Sequence, residues 1–104
     1  MTQQQQQSLM YKIFGGMMMG GHFQNQQKMV SILKAIHHLL ETQEHLSSQE
    51  CDNCLLYFFR EYAKGCSQPI SDSYIRTNMI PIVKNYPSMD IAWGASILMA
   101  AKIN

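Results

Sequence analysis

Ser47 to Gly65 is the stretch of this 104-residue chain that most narrows its fold, because it reads as one whole helix with both ends marked. Ser47 and Glu50 stand at the spacing of a capping box, in which the serine oxygen accepts a backbone N–H and the glutamate reaches back. Cys51, Cys54, Leu55, Phe58, Phe59 and Tyr62 share one side of the helical wheel; Asn53, Tyr57, Arg60, Glu61 and Lys64 share the other. Gly65 is placed to supply the left-handed residue that stops a helix at little steric cost.

A second amphipathic helix precedes it. From Asn25, a candidate N-cap, to Glu44, the residues Met29, Ile32, Leu33, Ile36, Leu39 and Leu40 line one face, while Lys28, Ser31, Lys34, His38 and Glu41 face away. The link from His45 to Ser48 is short, so the two helices should pack antiparallel as a hairpin. After a loop at 66–71 containing Pro69, a third helix is expected from Ser71–Ser73, carrying Ile75, Met79, Ile82 and Val83 inward. Pro81 should kink or split it, because proline lacks an N–H and crowds the preceding turn. Asn85-Tyr86-Pro87 ends it, Ser88 is the expected cap of a last helix, and Asp90 suits the positive end of that helix's dipole. Ala92, Ser96 and Ala100 form a row of small residues fit for close helix approach, beside bulky Trp93, Ile97 and Met99. This last helix is apolar nearly all round, which places it in the middle of a bundle or against a partner. No period-two alternation or hairpin-turn dipeptide competes. The expected fold is all-α: a small bundle of four main helices in two helical hairpins, with a short N-terminal apolar segment.

Ahead of this domain, assigned to 25–104, the sequence changes character. Residues 1–8 read as a Gln-rich disordered tail, since glutamines bury too little to offset the entropy of ordering. Residues 9–24 read as a Met/Gly connector, in which Leu9, Met10, Tyr11, Ile13 and Phe14 make a helical turn or two. Four glycines around Met17, Met18 and Met19 disfavour a longer helix. Gly16 and Gly20 also stand at the spacing of a close-packing helix face, a weak signal outside a membrane helix.

Charge and cysteine usage narrow the function classes. Charged residues are 14% of the chain, against roughly 25% in an ordinary soluble domain, and the net charge is +1. Eight basic residues, no two adjacent, make no footprint for nucleic acid or anionic lipid. Three cysteines cannot close a paired disulfide framework within one chain. The start of the chain lacks the basic and apolar regions of a secretory signal, and no run is long enough to span a bilayer. The expected setting is an intracellular, reducing compartment, the cytoplasm.

Chemistry, if present, should centre on Cys51-x-x-Cys54. A redox role needs an exposed, low-pKa thiolate, yet both thiols share the face of Leu55 and Phe59, and Glu50 and Asp52 flank Cys51. A zinc site would recruit Cys51, Cys54, Cys66 and His45. Cys66, however, lies roughly 20 Å away along the helix, too far for a shared ion within one subunit. His37 and His38 are successive helix positions that diverge by about 100°, so they read as structural and surface residues respectively. His22 falls in the connector. Nothing resembles a phosphate-cradling loop, a paired-carboxylate centre or a Ser-His-Asp arrangement. A helix-turn-helix reading would rest on Asn53, Arg60 and Lys64, opposed by Glu61.

The sequence therefore points to a non-catalytic protein–protein interaction module without a cofactor: an adaptor, a small chaperone or inhibitor, or an accessory subunit that binds another protein or a second copy of itself. The expected contacts are Met17, Met18, Met19, Trp93, Ile97 and Met99. The alternatives are a thiol or zinc module at Cys51 and Cys54, and a small helical DNA-binding regulator.

Overall fold

The computed structural model describes residues 2–19 and 25–103, and of residues 16–19 the backbone. Its helices are α1 (Gln3–Met19), α2 (Gln26–Thr42), α3 (Ser48–Gly65), α4 (Asp72–Tyr74), α5 (Ile80–Lys84) and α6 (Ile91–Ile103), with a π-helical turn at Ile75–Met79 joining α4 to α5. There is no strand among the described residues, and the fold is all-α. None of these helices is long and apolar enough to cross a membrane. The radius of gyration, 12.7 Å, matches the roughly 13 Å of a compact domain of this length, so α1 is packed in with the rest.

Both central helices begin as their sequences dictate. Asn25 Oδ1 accepts the Lys28 N–H at 2.8 Å, which caps α2. Ser47 Oγ accepts the Glu50 N–H at 3.1 Å, and Glu50 Oε1 accepts the Ser47 N–H at 2.9 Å, closing the capping box of α3. Those bonds from Ser47 hold the Glu50 carboxyl below the usual carboxylate range. Replacing Ser47 with Ala should lower stability by about 1 kcal/mol, read as a shift of the urea midpoint at unchanged slope.

The end of α3 differs from expectation. The helix runs through Gly65, and the left-handed residue is Ser67, with φ 56°. Gln68 N–H donates to Ala63 O, and Ser67 N–H donates to Lys64 O, the paired bonds of a Schellman ending. Gly65 has open space where a Cβ would lie. His45, with φ 57°, makes the comparable turn between α2 and α3.

The largest departure is at the N-terminus. Residues 3–19 form a helix where a disordered tail and a connector were expected. Two local causes outweigh the glutamine run. Thr2 Oγ1 accepts the Gln5 N–H and Gln5 Oε1 accepts the Thr2 N–H, a second capping box. Leu9, Ile13 and Phe14 then bury against α6 and α3. Phe14 stacks on Tyr57 and tilts against Phe58, with ring centroids 5.6 and 5.3 Å apart. Gly20 lies outside the described residues, and so does the close-packing spacing it completes with Gly16.

Helix α2 is the centre of the bundle. It packs on α3, α5 and α6, and buries Ile32, Leu33, Ile36, Leu39 and Leu40 as expected. Ser31, expected outside, is buried because the start of α6 docks there: its backbone O accepts the Asp90 N–H at 3.2 Å. On α3, Cys51, Cys54, Leu55, Phe58 and Phe59 are buried, whereas Tyr62 at the rim is exposed.

Pro81 is absorbed by the π turn. Ile80 N–H donates to Ile75 O, one residue wider than an α-helical bond, just before the proline that cannot donate. That extra residue rotates the next turn of the helix, so Ile80 and Val83 join Ile75 in the core while Ile82 faces solvent. The kink or split expected at Pro81 takes the form of one helical run with a widened turn. Asp90, rather than Ser88, caps α6, its Oδ1 accepting the Trp93 N–H at 3.1 Å. Helix α6 takes α1 and α2 as its main neighbours, not the segment 72–84 that precedes it.

Candidate functional site

Two regions hold the residues from which a function can be built: the outward face of α6 and the junction of α2 with the start of α3.

On α6, Gly94, Ile97, Leu98 and Ala101 point inward. Gly94 makes the close approach to α2: a Cβ there would lie 2.7 Å from the Ala35 Cβ. The small-residue row of Ala92, Ser96 and Ala100 therefore faces solvent instead of a neighbouring helix. Ile97, expected as a partner contact, is 7% exposed and belongs to the core. Trp93 and Met99 are 40% and 62% exposed, and Ile91 and Ile103, absent from the expected contacts, are 42% and 78% exposed. The signal that marks Ile103 is helical spacing, since it stands four residues after Met99 on the side away from Gly94. Residues Met17, Met18 and Met19 have no described side chains.

Charges anchor this face at both ends. Lys28 pairs with Asp90 and also lies over the Trp93 ring, 5.0 Å from its centroid. The Lys28 ammonium, with the Trp93 N–H, holds the Asp90 carboxyl below the usual carboxylate range. Lys102 reaches back to Glu44 at 2.8 Å. The outward side of α6 is left with Ala92, Trp93, Ser96, Met99, Ala100 and Ile103.

At the second region, His37 is buried between two carboxylates. Its Nδ1 lies 3.1 Å from Glu41 Oε1, one helical turn on, and its Nε2 lies 3.0 Å from Asp52 Oδ1 on α3. Asp52 Oδ2 in turn meets Lys84 Nζ at 3.3 Å. The Cys51 thiol, fully buried, completes a cluster with His37 and Glu41. His37 and Glu41 also line a hollow of about 230 Å³ with Lys34, Lys84 and Met89. From sequence His37 reads only as structural, because nothing local says that Asp52 and Cys51 will arrive opposite it.

Burial pushes the Cys51 thiol up to about 12, with Cys54, Glu41, Asp52 and Glu50 adding to the effect. Cys54 is also pushed to about 12, by burial and then Glu50. Neither is a thiolate nucleophile at neutral pH. The alternative zinc set of Cys51, Cys54, Cys66 and His45 is not assembled, as the helix length implied: Cys66 and His45 are exposed, and an unbroken α3 separates Cys66 from the pair. Of the DNA-reading candidates, Arg60 is held by Asp72, Lys64 by Glu61 at 3.3 Å, and Asn53 accepts from Arg76 at 2.9 Å. No protein-family model, curated protein or solved structure matches this chain.

Proposed function

We propose that this chain is a non-catalytic protein–protein interaction module, with the outward face of α6 as its docking surface. The observation that carries the reading is a mismatch between composition and position. Helix α6 is the most uniformly apolar of the helices, yet amphipathic α2 takes the centre of the bundle. Helix α6 keeps Trp93, Met99 and Ile103 on the surface, where only a partner would bury them. A Trp flanked by aliphatic side chains matches the composition of interface hot spots. The partner is a protein, either a second copy of this chain or another one. The alternatives weaken for stated reasons: buried, protonated thiols do not suit redox chemistry, the set of Cys51, Cys54, Cys66 and His45 is not assembled, and the cations of α3 are already paired with Asp72 and Glu61.

The test is a Met99→Glu, Ile103→Glu double variant, which changes exposed side chains and should leave stability within about 0.5 kcal/mol per site. Sedimentation velocity gives the mass of each form. A photo-crosslinker at Met99, with a control at exposed Asn78, captures a different partner if the chain itself is monomeric. The double variant should weaken the association by about 2 kcal/mol or more, roughly 30-fold in Kd. A strictly monomeric protein that crosslinks no more at Met99 than at Asn78 would sink the proposal.

A further inference from the structure

His37, Glu41 and Cys51 each offer one donor atom, and those three atoms all lie within 4.8 Å of one another. Bonds of about 2.0–2.3 Å to a four-coordinate zinc-type ion hold neighbouring donors roughly 3.3–3.8 Å apart. The Nδ1 to Oε1 separation, 3.1 Å, is already close to that spacing. The Cys51 sulfur lies no more than 4.8 Å from either atom, so side-chain shifts of about 1 Å would bring the set to that spacing, and Glu41, with its side chain 38% exposed, can follow. An imidazole, a carboxylate and a thiol form a mixed set that suits a borderline divalent cation better than a hard one such as Mg²⁺ or Ca²⁺.

The surroundings of His37 match what a metal-ligating histidine requires. Its Nε2 faces Asp52 Oδ1 at 3.0 Å, and an Nε2–H donated there leaves Nδ1, 3.1 Å from Glu41 Oε1, as the nitrogen available to an ion. Asp52 is itself steadied by Lys84 on its other oxygen. We propose that His37 Nδ1, the Glu41 carboxylate and the Cys51 sulfur form a binding site for a zinc-type divalent cation. A water from the hollow that His37 and Glu41 line would supply the fourth ligand. Coordination displaces to solvent both the Cys51 proton and the proton shared between His37 Nδ1 and Glu41, and replaces the His37–Glu41 contact with two bonds to the ion. Because Glu41 and His37 belong to α2 and Cys51 to the first turn of α3, the ion would tie the two helices together beside their shared turn.

The experiment is a cobalt titration of the full chain under a non-coordinating reductant, in a Cys66→Ser background that removes the exposed thiol. One Co²⁺ per chain should bind, with the intense visible bands of four-coordination and a thiolate-to-cobalt absorption in the near ultraviolet, and Zn²⁺ should displace it. Cys51→Ser should abolish the thiolate band, whereas Cys54→Ser should keep it. Asp52→Asn should weaken binding about 10- to 100-fold through loss of the histidine's orientation. Glu41→Gln is the variant that keeps the test decisive if replacing buried Cys51 prevents folding, and it should weaken binding at least tenfold. A titration without saturation, a six-coordinate spectrum lacking the thiolate band, or Glu41→Gln binding as tightly as the parent would overturn the proposal. In that event the two carboxylates serve only to hold the His37 ring in place.

Discussion

Replacing Phe58 with Ala should destabilise the fold by about 3–5 kcal/mol, the range for removing a fully buried aromatic ring from a core. Among the described residues, Phe58 is the largest side chain completely hidden from solvent. It joins two parts of the molecule that are far apart in sequence. Its ring centroid lies 5.3 Å from that of Phe14 on α1, 5.4 Å from Phe59 and 5.9 Å from Tyr62. The loss therefore includes ring–ring contacts as well as a cavity. Measured against a total stability of about 5–15 kcal/mol, this removes about a fifth of it at the least. The expected reading is a melting temperature lower by roughly 12 °C or more. Amide exchange in the variant should speed up along residues 9–14, because α1 loses one of its aromatic anchors. A shift under about 1 kcal/mol would mean that α1 does not rest on Phe58.

The second large effect is at Gly94. A Cβ placed there would sit 2.7 Å from the Ala35 Cβ, 3.4 Å from the Ile36 N and 3.5 Å from the Ala35 carbonyl carbon. The Ala35 methyl is fixed to its backbone and cannot swing aside, so the helices must separate. Overpacking of this kind costs about 1–3 kcal/mol. Gly94→Ala recovers up to about 1 kcal/mol of helix propensity, so its net loss should be small to moderate. Gly94→Val adds two further methyl groups at the same crossing with less propensity gain, and should lose about 3 kcal/mol or more. Pairing Gly94→Ala with Ala35→Gly should show a favourable coupling of about 0.5–3 kcal/mol in a double-mutant cycle. Strict additivity would mean that α6 crosses α2 elsewhere. Any separation here would also disturb the outward face of α6, so the association proposed for that face should weaken in parallel with stability.

Much of the helical layout was legible because helix ends are local events. Asn25 caps α2 by accepting from Lys28, and Ser47 and Glu50 close their box; each interaction spans only three residues. The same signal was present at Thr2 and Gln5, masked by the glutamine run. The inward face of α3 followed from its period, because its polar and apolar sides are distinct. The π turn before Pro81 was not legible in detail. Proline demands a disturbance, but whether the chain kinks, breaks or widens depends on which isoleucines the core can accept.

The candidate sites lay furthest from the sequence. His37 gains meaning only when Asp52, Cys51 and Lys84 arrive from other elements. Ile97 and Met99 could not be told apart by pattern, because α6 is apolar on every side and its period favours no face.

By itself, then, the sequence determined that the chain is helical, where α2 and α3 begin, and which side of α3 turns inward. Contacts within a few residues and one contrast of polarity suffice for that. Only the tertiary structure decided that α2 takes the centre, that Gly94 turns toward Ala35, and that Trp93, Met99 and Ile103 remain outside. Those outcomes rest on steric fit between segments some sixty residues apart in the chain, since Gly94 follows Ala35 by 59 positions. A missing Cβ has no consequence until another helix comes to lie against it.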